Sequence, residues 1–225
     1  MLYLIAPEIH YQKRYSWLED LFNKEDFDSL IIESNIGERE AKKTGFNKEI
    51  LLYNEHTNPQ EEKSLLEKLK TNKAALLSDG GFPFLGDPGS TLVRLCHQNN
   101  INIQTRGIHS YLMAALLMSG CNANQFKFIG YPPVSDQTER KNWLKKQTQS
   151  FPNTSVIMEP PYRTRKLLEE LIDLLPLKAW LSFSTQIGQA EEKTYAFHIK
   201  TWKENKQKLF SQIDKKPLGV ICVEV

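Results

Sequence analysis

One loop of this 225-residue chain concentrates residue types that can build a binding site. Residues 74–90 read AALLSDGGFPFLGDPGS, so an apolar run is followed by four glycines, two prolines and two aspartates before a helix-like stretch. An open α/β sheet forms its ligand crevice at the carboxyl ends of its strands, where loops of this kind lie. The same residue types also build simple turns, and composition alone leaves both interpretations open.

The composition of this loop argues against a phosphate ligand. Phosphate cradles of the G-x-G-x-x-G and G-x-x-x-x-G-K-[ST] types are absent, and the loop contains no lysine. The carboxylates of Asp79 and Asp87 would repel a phosphate. The loop therefore favours a cationic or ribose-bearing ligand, because Asp87 can stabilise positive charge or accept hydrogen bonds from hydroxyl groups.

Three side chains are candidates for proton transfer. His56 follows a short predicted strand, and a neutral imidazole there could accept a proton from a ribose hydroxyl. The alternative is a ring that only hydrogen-bonds to a loop carbonyl. Asp79 and Glu159 are the other possible bases or orienting groups, and Asp79 could equally cap a turn.

Basic side chains recur on two predicted helices in the second half of the chain. Such a patch would bind RNA phosphates in a strongly salt-dependent way, although a basic helix face is often simply solvated. Arg140, Lys141 and Arg163 are the substrate-binding candidates within it. Tyr131 and Tyr162 lie nearby and could stack a flipped nucleotide. The remaining members of the patch and its third aromatic residue, which could instead be core, are Lys145, Lys146, Arg165, Lys166 and Trp143.

Bulk properties limit the possible function classes. The chain has 29 Lys and Arg against 27 Asp and Glu, so a net charge of +2 provides no global attraction for a nucleic acid, and any RNA contact must be local. Three scattered cysteines without a C-x-x-C motif predict reduced packing thiols and no metal site. The first residues lack the cationic flank of a signal peptide, and no window approaches a membrane span. A cytoplasmic protein without a membrane segment is expected.

The order of elements predicts an α/β fold of two domains. Short apolar runs alternate with helix-like stretches in the first half, which indicates a parallel sheet with crossover helices. Strands follow one another more directly after Gly120, so a mixed sheet is expected there. We therefore predict an N-terminal domain over residues 1–119 and a C-terminal domain over residues 120–225. The strands are predicted at residues 2–6, 29–33, 50–53, 74–78, 101–104, 126–131, 155–159, 179–184, 195–199 and 218–224.

Several motifs resemble a known family. The string SDGGFPFLGDPGSTLVRLC is similar to the SDAGTPLISDPGYHLVR signature of the ribosomal RNA ribose methyltransferases in the tetrapyrrole-methylase superfamily. FKFIGYPP (126–133) resembles the F-x-x-x-G-F-x-P element, MEPPYR (158–163) resembles Y-E-S-T-H-R, and YNEHTN (53–58) resembles H-x-H-N. The positions that match the first signature are Ser78, Asp79, Gly81, Pro83, Asp87, Pro88, Gly89, Leu92, Val93 and Arg94.

The resemblance implies an S-adenosylmethionine-dependent methyltransferase. Members of the family have two α/β domains, are usually dimeric, hold the folded cofactor between the domains and pass its methyl group to a nucleophile. A ribose 2'-hydroxyl of ribosomal RNA or of the small ribosomal subunit is the implied acceptor, and a homodimer is expected. The residues that match cofactor-binding positions are Asp87, Ser90, His109, Ser110, Tyr111 and Met158.

The sequence departs from the family pattern where an acceptor would bind. The family's P-T-P-I-G-N-L loop is replaced by APEIHYQ at residues 6–12, and its R-E-L-T element is not recognisable at residues 182–188. Two alternatives therefore stand beside RNA methylation. One is methylation of a tetrapyrrole or another small acceptor. The other is a relative that binds S-adenosylmethionine without catalysis.

Overall fold

Alternating strands and helices build a parallel sheet from the first part of the chain. The computed structural model describes residues 1–7, 11–78, 82, 83, 85, 89–134 and 136–225, apart from the side chains of residues 11–13 and 36. The chain divides into two units, Met1–His109 and Ser110–Val225. The strands of the first unit are β1 (Leu2–Ile5), β2 (Ser29–Ile32), β3 (Glu49–Leu52), β4 (Ala74–Leu77) and β5 (Ile103–Arg106).

The five strands of the first unit are all parallel, in the order β3-β2-β4-β1-β5. Every residue of β1, β2 and β4 is buried, as expected for a sheet that is covered on both faces. The parallel sheet predicted from the sequence is confirmed. The helices between the strands are α1 (Tyr11–Glu25), α2 (Asn35–Lys43), α3 (Pro59–Thr71) and α4 (Ser90–Gln98).

Local capping explains the start of α3. The side chain of Asn58 accepts hydrogen bonds from the backbone N–H groups of Gln60 and Glu61, and the Glu61 carboxylate accepts one from the backbone N–H of Asn58. Pro59 occupies the first helical position, where its missing N–H costs nothing. Helix α2 was not predicted, because Gly37 lies in its first turn and lowers the local helix propensity.

The second unit forms a mixed sheet, as predicted. Its strand order is β6-β7-β10-β8-β9, with β6 parallel to β7 and the other three neighbouring pairs antiparallel. Its strands are β6 (Phe126–Gly130), β7 (Thr154–Met158), β8 (Trp180–Thr185), β9 (Lys193–His198) and β10 (Gly219–Glu224). Its helices are α5 (Tyr111–Ser119), α6 (Gln137–Thr148), α7 (Pro161–Leu174), α8 (Ile199–Glu204) and α9 (Lys206–Gln212).

Helix α5 lies with the second unit. It contacts β8, β9 and β10, and the indole N–H of Trp180 donates to the Ser119 carbonyl oxygen at 2.7 Å. Gly120, near which the sequence placed the domain boundary, ends this helix in the left-handed conformation at φ 74°. The boundary between the two units therefore lies one helix earlier in the chain, between His109 and Ser110.

The core of the second unit is apolar, and a hydrogen bond fixes its largest side chain. Trp202 is fully buried, and its indole N–H donates to the Leu181 carbonyl oxygen at 2.9 Å. The three cysteines, all of them among the described residues, form no disulfide bond and are buried, as expected of packing thiols, and burial raises the pKa of the Cys96 and Cys222 thiols to about 12. None of the described helices is long and apolar enough to cross a membrane.

Strand directions in the second unit bring several strand ends together. β7 and β8 both run antiparallel to β10, which lies between them, and β6 is parallel to β7. The carboxyl ends of β6, β7 and β8 therefore lie beside the start of β10, and we call this end of the sheet the carboxyl edge. A Cβ atom on Gly219 would lie 2.3 Å from the Ser184 carbonyl oxygen and 2.6 Å from Cε2 of Phe183, so β10 can begin only with glycine there.

Gly219→Ala should accordingly destabilise the protein by about 1–3 kcal/mol, because the added methyl group must displace the backbone of β8 or the Phe183 ring. Urea-induced unfolding followed by circular dichroism measures this change. Leu218→Ala is the matched control, since Leu218 is 59% exposed and its truncation should cost less than about 0.5 kcal/mol. Equal stability of the two variants would contradict the proposed close approach of β8 and β10.

Candidate functional site

A cavity of about 240 Å³ opens at the carboxyl edge of the second unit. Met158 ends β7, Thr185 ends β8 and Gly219 begins β10, so the strand ends form its walls. The full set of lining residues is Tyr111, Met158, Thr185, Gln186, Ile187, Gln189, Asp214, Leu218, Gly219 and Val220.

The cavity combines apolar walls with a few polar groups. Met158, Ile187 and Val220 are apolar, while Gln189 and Asp214 are exposed polar residues at the rim. This mixture is typical of small-molecule sites, where apolar surface provides most of the contact and a few polar groups fix the orientation. The cavity therefore suits a partly apolar ligand that also carries hydrogen-bonding groups.

The loop after β8 is held in a defined conformation. Gln186 has a φ of 54°, a left-handed conformation that is uncommon for a residue with a side chain. The Thr185 hydroxyl donates to the Leu218 carbonyl oxygen at 2.8 Å, and the Gly188 N–H donates to the buried carboxylate of Glu192 at 2.7 Å. Backbone strain of this kind persists where the surroundings enforce it, and it often occurs at ligand sites.

Two of the residues predicted to contact a cofactor line this cavity. Tyr111 begins α5 and is 56% exposed, and Met158 is half-buried at the end of β7. Ser110 caps the same helix, with its hydroxyl accepting a hydrogen bond from the Met113 N–H at 3.4 Å. The structure thus brings together Tyr111 and Met158, which are 47 positions apart in the sequence.

The other predicted cofactor residues belong to the first unit. Ser90 is the first residue of α4, and His109 is an exposed residue at the end of the unit. Asp87 lies outside the described residues, as does Asp79, which was predicted as a base. The cofactor contacts of Asp87, Ser90 and His109 and the catalytic role of Asp79 stay predictions.

Glu159, a candidate base, lies between two guanidinium groups. Its side chain is completely buried, and Oε1 lies 3.3 Å from Nη2 of Arg140 and 2.7 Å from Nε of Arg163. Its second oxygen, Oε2, is buried without a hydrogen-bond partner among the described residues. A carboxylate enclosed in this way acts as an ion-pair partner of two arginines, and it is not presented to a ligand.

Arg140, which the sequence assigned to phosphate binding, is enclosed as well. Its Nε donates to the Glu170 carboxylate at 2.8 Å and its Nη1 donates to the Pro133 carbonyl oxygen at 3.0 Å. The residue is only 6% exposed. Sequence spacing placed it on a basic helix face, but the structure turns it inward, where it joins the loop after β6 to Glu159 and α7.

The remaining basic residues divide into two groups. Arg165 packs over the Phe210 ring at 4.9 Å and donates to the Ile213 carbonyl oxygen at 3.0 Å, so it also stabilises the fold. Lys141 is exposed and lines a groove of about 300 Å³ between α6 and α7, together with carboxylates of α7. The exposed lysines of the patch are Lys141, Lys145, Lys146 and Lys166.

His56 lies at the surface of the first unit. Its side chain is 84% exposed, with Nε2 3.6 Å from the carboxylate of Glu55. It lines an open groove of about 480 Å³ between β3 and α3. The loop around it is fixed by Tyr53, whose hydroxyl donates to Glu62 at 3.0 Å, and burial together with Glu62 raises the pKa of Tyr53. Among the described residues, no group of His, Cys, Asp and Glu side chains is arranged to hold a metal ion.

Sequence comparisons place the chain beside known methyltransferases. No family model matches the chain. It is 29% identical over 175 residues to the Ribosomal RNA small subunit methyltransferase I of Synechocystis sp., a match that covers 77% of this chain and 60% of that protein. Proteins of the same name are 28% identical over 178 residues in Thermotoga maritima, covering 78% of this chain and 75% of the relative, and 30% identical over 147 residues in Leptospira biflexa, covering 65% and 58%. The resemblance predicted from the motifs is confirmed.

The relatives differ from this chain in length. The chain spans less than two thirds of the Synechocystis and Leptospira proteins and three quarters of the Thermotoga protein. Solved structures that align over nearly all of the chain include diphthine synthase, at 14% identity and a TM-score of 0.36, covering 100% of this chain and 89% of that one. Cobalt precorrin-4 methyltransferase aligns at 12% identity and a TM-score of 0.37, covering 99% and 94%.

Sequence reasoning missed the loop after β8, Asp214 and the start of β10. These segments carry no motif, and only the pairing of β10 between β7 and β8 brings them to Met158. The only local indication of this part of the site was the loss of a family motif. The family's R-E-L-T element is replaced at residues 182–188, and this is the segment that contributes Gln186 and Ile187 to the cavity.

Glu159→Gln should destabilise the protein by about 3–5 kcal/mol, because removing one partner of a buried ion pair leaves uncompensated guanidinium charge. Glu170→Gln is the matched control. Its carboxylate is 24% exposed and Arg140 would keep Glu159 and the proline carbonyls, so a loss of about 1 kcal/mol is expected. Urea unfolding of both variants tests this difference, and equal losses would contradict the central position of Glu159 in the ion cluster.

Proposed function

We propose that this chain is an S-adenosylmethionine-dependent methyltransferase that methylates a ribose 2'-hydroxyl of ribosomal RNA. The observation that carries the proposal is the cavity at the carboxyl edge. It is lined by Tyr111 and Met158, two of the three residues of this unit that the motif resemblance had assigned to the cofactor; the third, Ser110, directly precedes Tyr111. The similarity to proteins named Ribosomal RNA small subunit methyltransferase I supports both the reaction and the acceptor.

The residues of the cavity fit the adenosyl part of the cofactor. Met158, Ile187 and Val220 would contact the faces of the purine, and the amides of Gln186 and Gln189 can both donate to and accept from ring nitrogens. The Asp214 carboxylate can accept hydrogen bonds from ribose hydroxyls. We also propose that Asp87, Ser90, His109 and Ser110 contact the cofactor, as the motif resemblance implies.

The bound cofactor would supply a methyl group on a positively charged sulfur. The task of the protein is then to align donor and acceptor and to exclude water, effects that can contribute about 7–11 kcal/mol to lowering a barrier. His56 and Asp79 remain the proposed bases for the hydroxyl proton. Glu159 is better suited to position Arg163, because its side chain is completely buried and Oε1 lies against both arginines.

We also propose that the protein works in the cytoplasm as a homodimer that pairs through its first unit. The resemblance to dimeric methyltransferases is the main support. The sheet order adds to it, because β3 lies at the edge of the sheet and pairs on one side only among the described strands, and Leu52 at its end is 60% exposed. Sedimentation at micromolar concentration should show a dimer, and a monomer would argue against this assembly.

Blocking the mouth of the cavity tests the cofactor site. Leu218→Trp should weaken the binding of S-adenosylhomocysteine at least tenfold in calorimetry, because Leu218 lines the rim and the larger indole would occupy ligand space. Leu177→Trp is the matched control. Leu177 is 56% exposed, compared with 59% for Leu218, but it lies before β8 at the other end of the sheet. Equal weakening in both variants, or in neither, would contradict the cavity as the cofactor site.

Methyl transfer tests the acceptor separately. Wild-type protein should transfer label from S-adenosylmethionine to assembled small ribosomal subunits or to naked small-subunit RNA. If it binds S-adenosylhomocysteine but labels neither, RNA is not the acceptor. A tetrapyrrole or another small acceptor would then be indicated by label transfer to that compound, and a non-catalytic relative by transfer to none.

A further inference from the structure

Two exposed tyrosines stand at the carboxyl edge of the second unit. Tyr131 is 58% exposed and directly follows β6, and Tyr162 is 66% exposed in the first turn of α7. Val134, three residues beyond Tyr131, is 76% exposed. Exposed large apolar side chains that cluster in space commonly mark binding surfaces, whereas scattered ones have no such meaning.

Strand directions place these residues at the same end of the sheet as the cavity. β6 and β7 are parallel, and their pairing ends where Gly130 pairs with Ile157, after a shift in register between Phe128 and Gly130. Tyr131 directly follows the end of β6, and Tyr162 follows the end of β7 by four residues. Both tyrosines therefore follow strand ends at the carboxyl edge, where the proposed cofactor site also lies.

The buried ion cluster fixes the two tyrosine-bearing segments relative to each other. Arg140 donates to the carbonyl oxygens of Pro132 at 3.5 Å and Pro133 at 3.0 Å, immediately after Tyr131. It also pairs with Glu159, which pairs in turn with Arg163, immediately after Tyr162. Buried ions contribute little net stability, but they can specify one arrangement of the segments that they join.

The exposed groups match the chemistry of an unpaired nucleotide. Tyrosine rings and the planar guanidinium group offer faces on which bases stack, and arginine also binds phosphate. Arg163 lies 5.4 Å from the centre of the Tyr162 ring and its side chain is 22% exposed. The exposed Lys141, in the first half of α6, provides further positive charge one residue after Arg140.

We propose that Tyr131, Tyr162 and Arg163 form a stacking surface for unpaired bases of the acceptor RNA. This inference rests on the proposed function, and it adds the surface on which the RNA lies. The acceptor nucleotide would be brought next to Met158 by bases stacked on the two tyrosines, and Glu159 would act as a positioning residue through Arg163. Sequence preference should be modest, since stacking accepts every base.

The test measures RNA affinity and cofactor affinity in the same variants. Tyr131→Ala and Tyr162→Ala should each weaken the binding of a 12-nucleotide single-stranded RNA about tenfold, as expected for the loss of one stacked base. Tyr131→Phe and Tyr162→Phe should bind like the wild type, because the ring is kept. All four variants should retain the wild-type affinity for S-adenosylhomocysteine, which also reports that the second unit is folded. Phe151→Ala is the aromatic control, since Phe151 is 76% exposed but precedes β7 at the opposite end of the sheet.

The outcomes separate this surface from the proposed function. A wild-type affinity for RNA in both alanine variants would overturn the surface while leaving the methyltransferase proposal intact. Equal weakening by Phe151→Ala would overturn it as well, because the effect would then not belong to the carboxyl edge. Wild-type protein that binds S-adenosylhomocysteine but no RNA would remove the acceptor and, with it, this surface.

Discussion

The pairing of β10 between β7 and β8 is the constraint on which the candidate site depends. Because β10 runs antiparallel to both neighbours, the ends of β7 and β8 meet its first residue at one edge of the sheet. Gly219 permits this approach, since any side chain there would overlap with Ser184 and Phe183. The backbone hydrogen bonds of three strands thereby fix the walls of the cavity before any ligand is present. A preformed cavity of this kind binds with a smaller ordering cost than a flexible one.

A second constraint operates beside the cavity, where charge is buried. Glu159 is enclosed by Arg140 and Arg163, and Arg140 is further neutralised by Glu170. Desolvation makes such clusters poor sources of stability, so their usual contribution is to hold particular segments in place. Here the segments are the loop after β6 and the first turn of α7. The carboxyl edge therefore carries both the apolar cavity and the exposed tyrosines, and the ion cluster holds the two segments that carry these tyrosines.

The sequence predicted the parts of the fold that depend on local pattern. Continuous apolar runs identified β1, β2 and β4 because both faces of a parallel sheet are covered, and the helix-like stretch expected after the glycine-rich loop is α4. The mixed character of the second sheet also followed from strands that succeed one another directly. Helix α2 escaped prediction, since Gly37 in its first turn obscures a segment that tertiary packing stabilises.

The site was predictable only in part. Met158 and Tyr111 were accessible through motif resemblance, whereas Gln186 and Asp214 reach the cavity through long-range pairing that leaves no local pattern. The burial of Arg140 was also hidden, because α6 carries three further basic residues and the sequence does not reveal which of the four turns inward. Chemistry-bearing residue types can thus be read from the sequence, but the groups they face depend on the fold.

A crystal structure of the wild-type protein with S-adenosylhomocysteine would show directly whether the cavity at the carboxyl edge is the cofactor site. We expect the adenine to lie in this cavity, against Met158, Ile187 and Val220, with an amide of Gln186 or Gln189 within hydrogen-bonding distance of the ring. Ligand bound at another place, with this cavity empty, would show that the carboxyl-edge cavity is not the cofactor site.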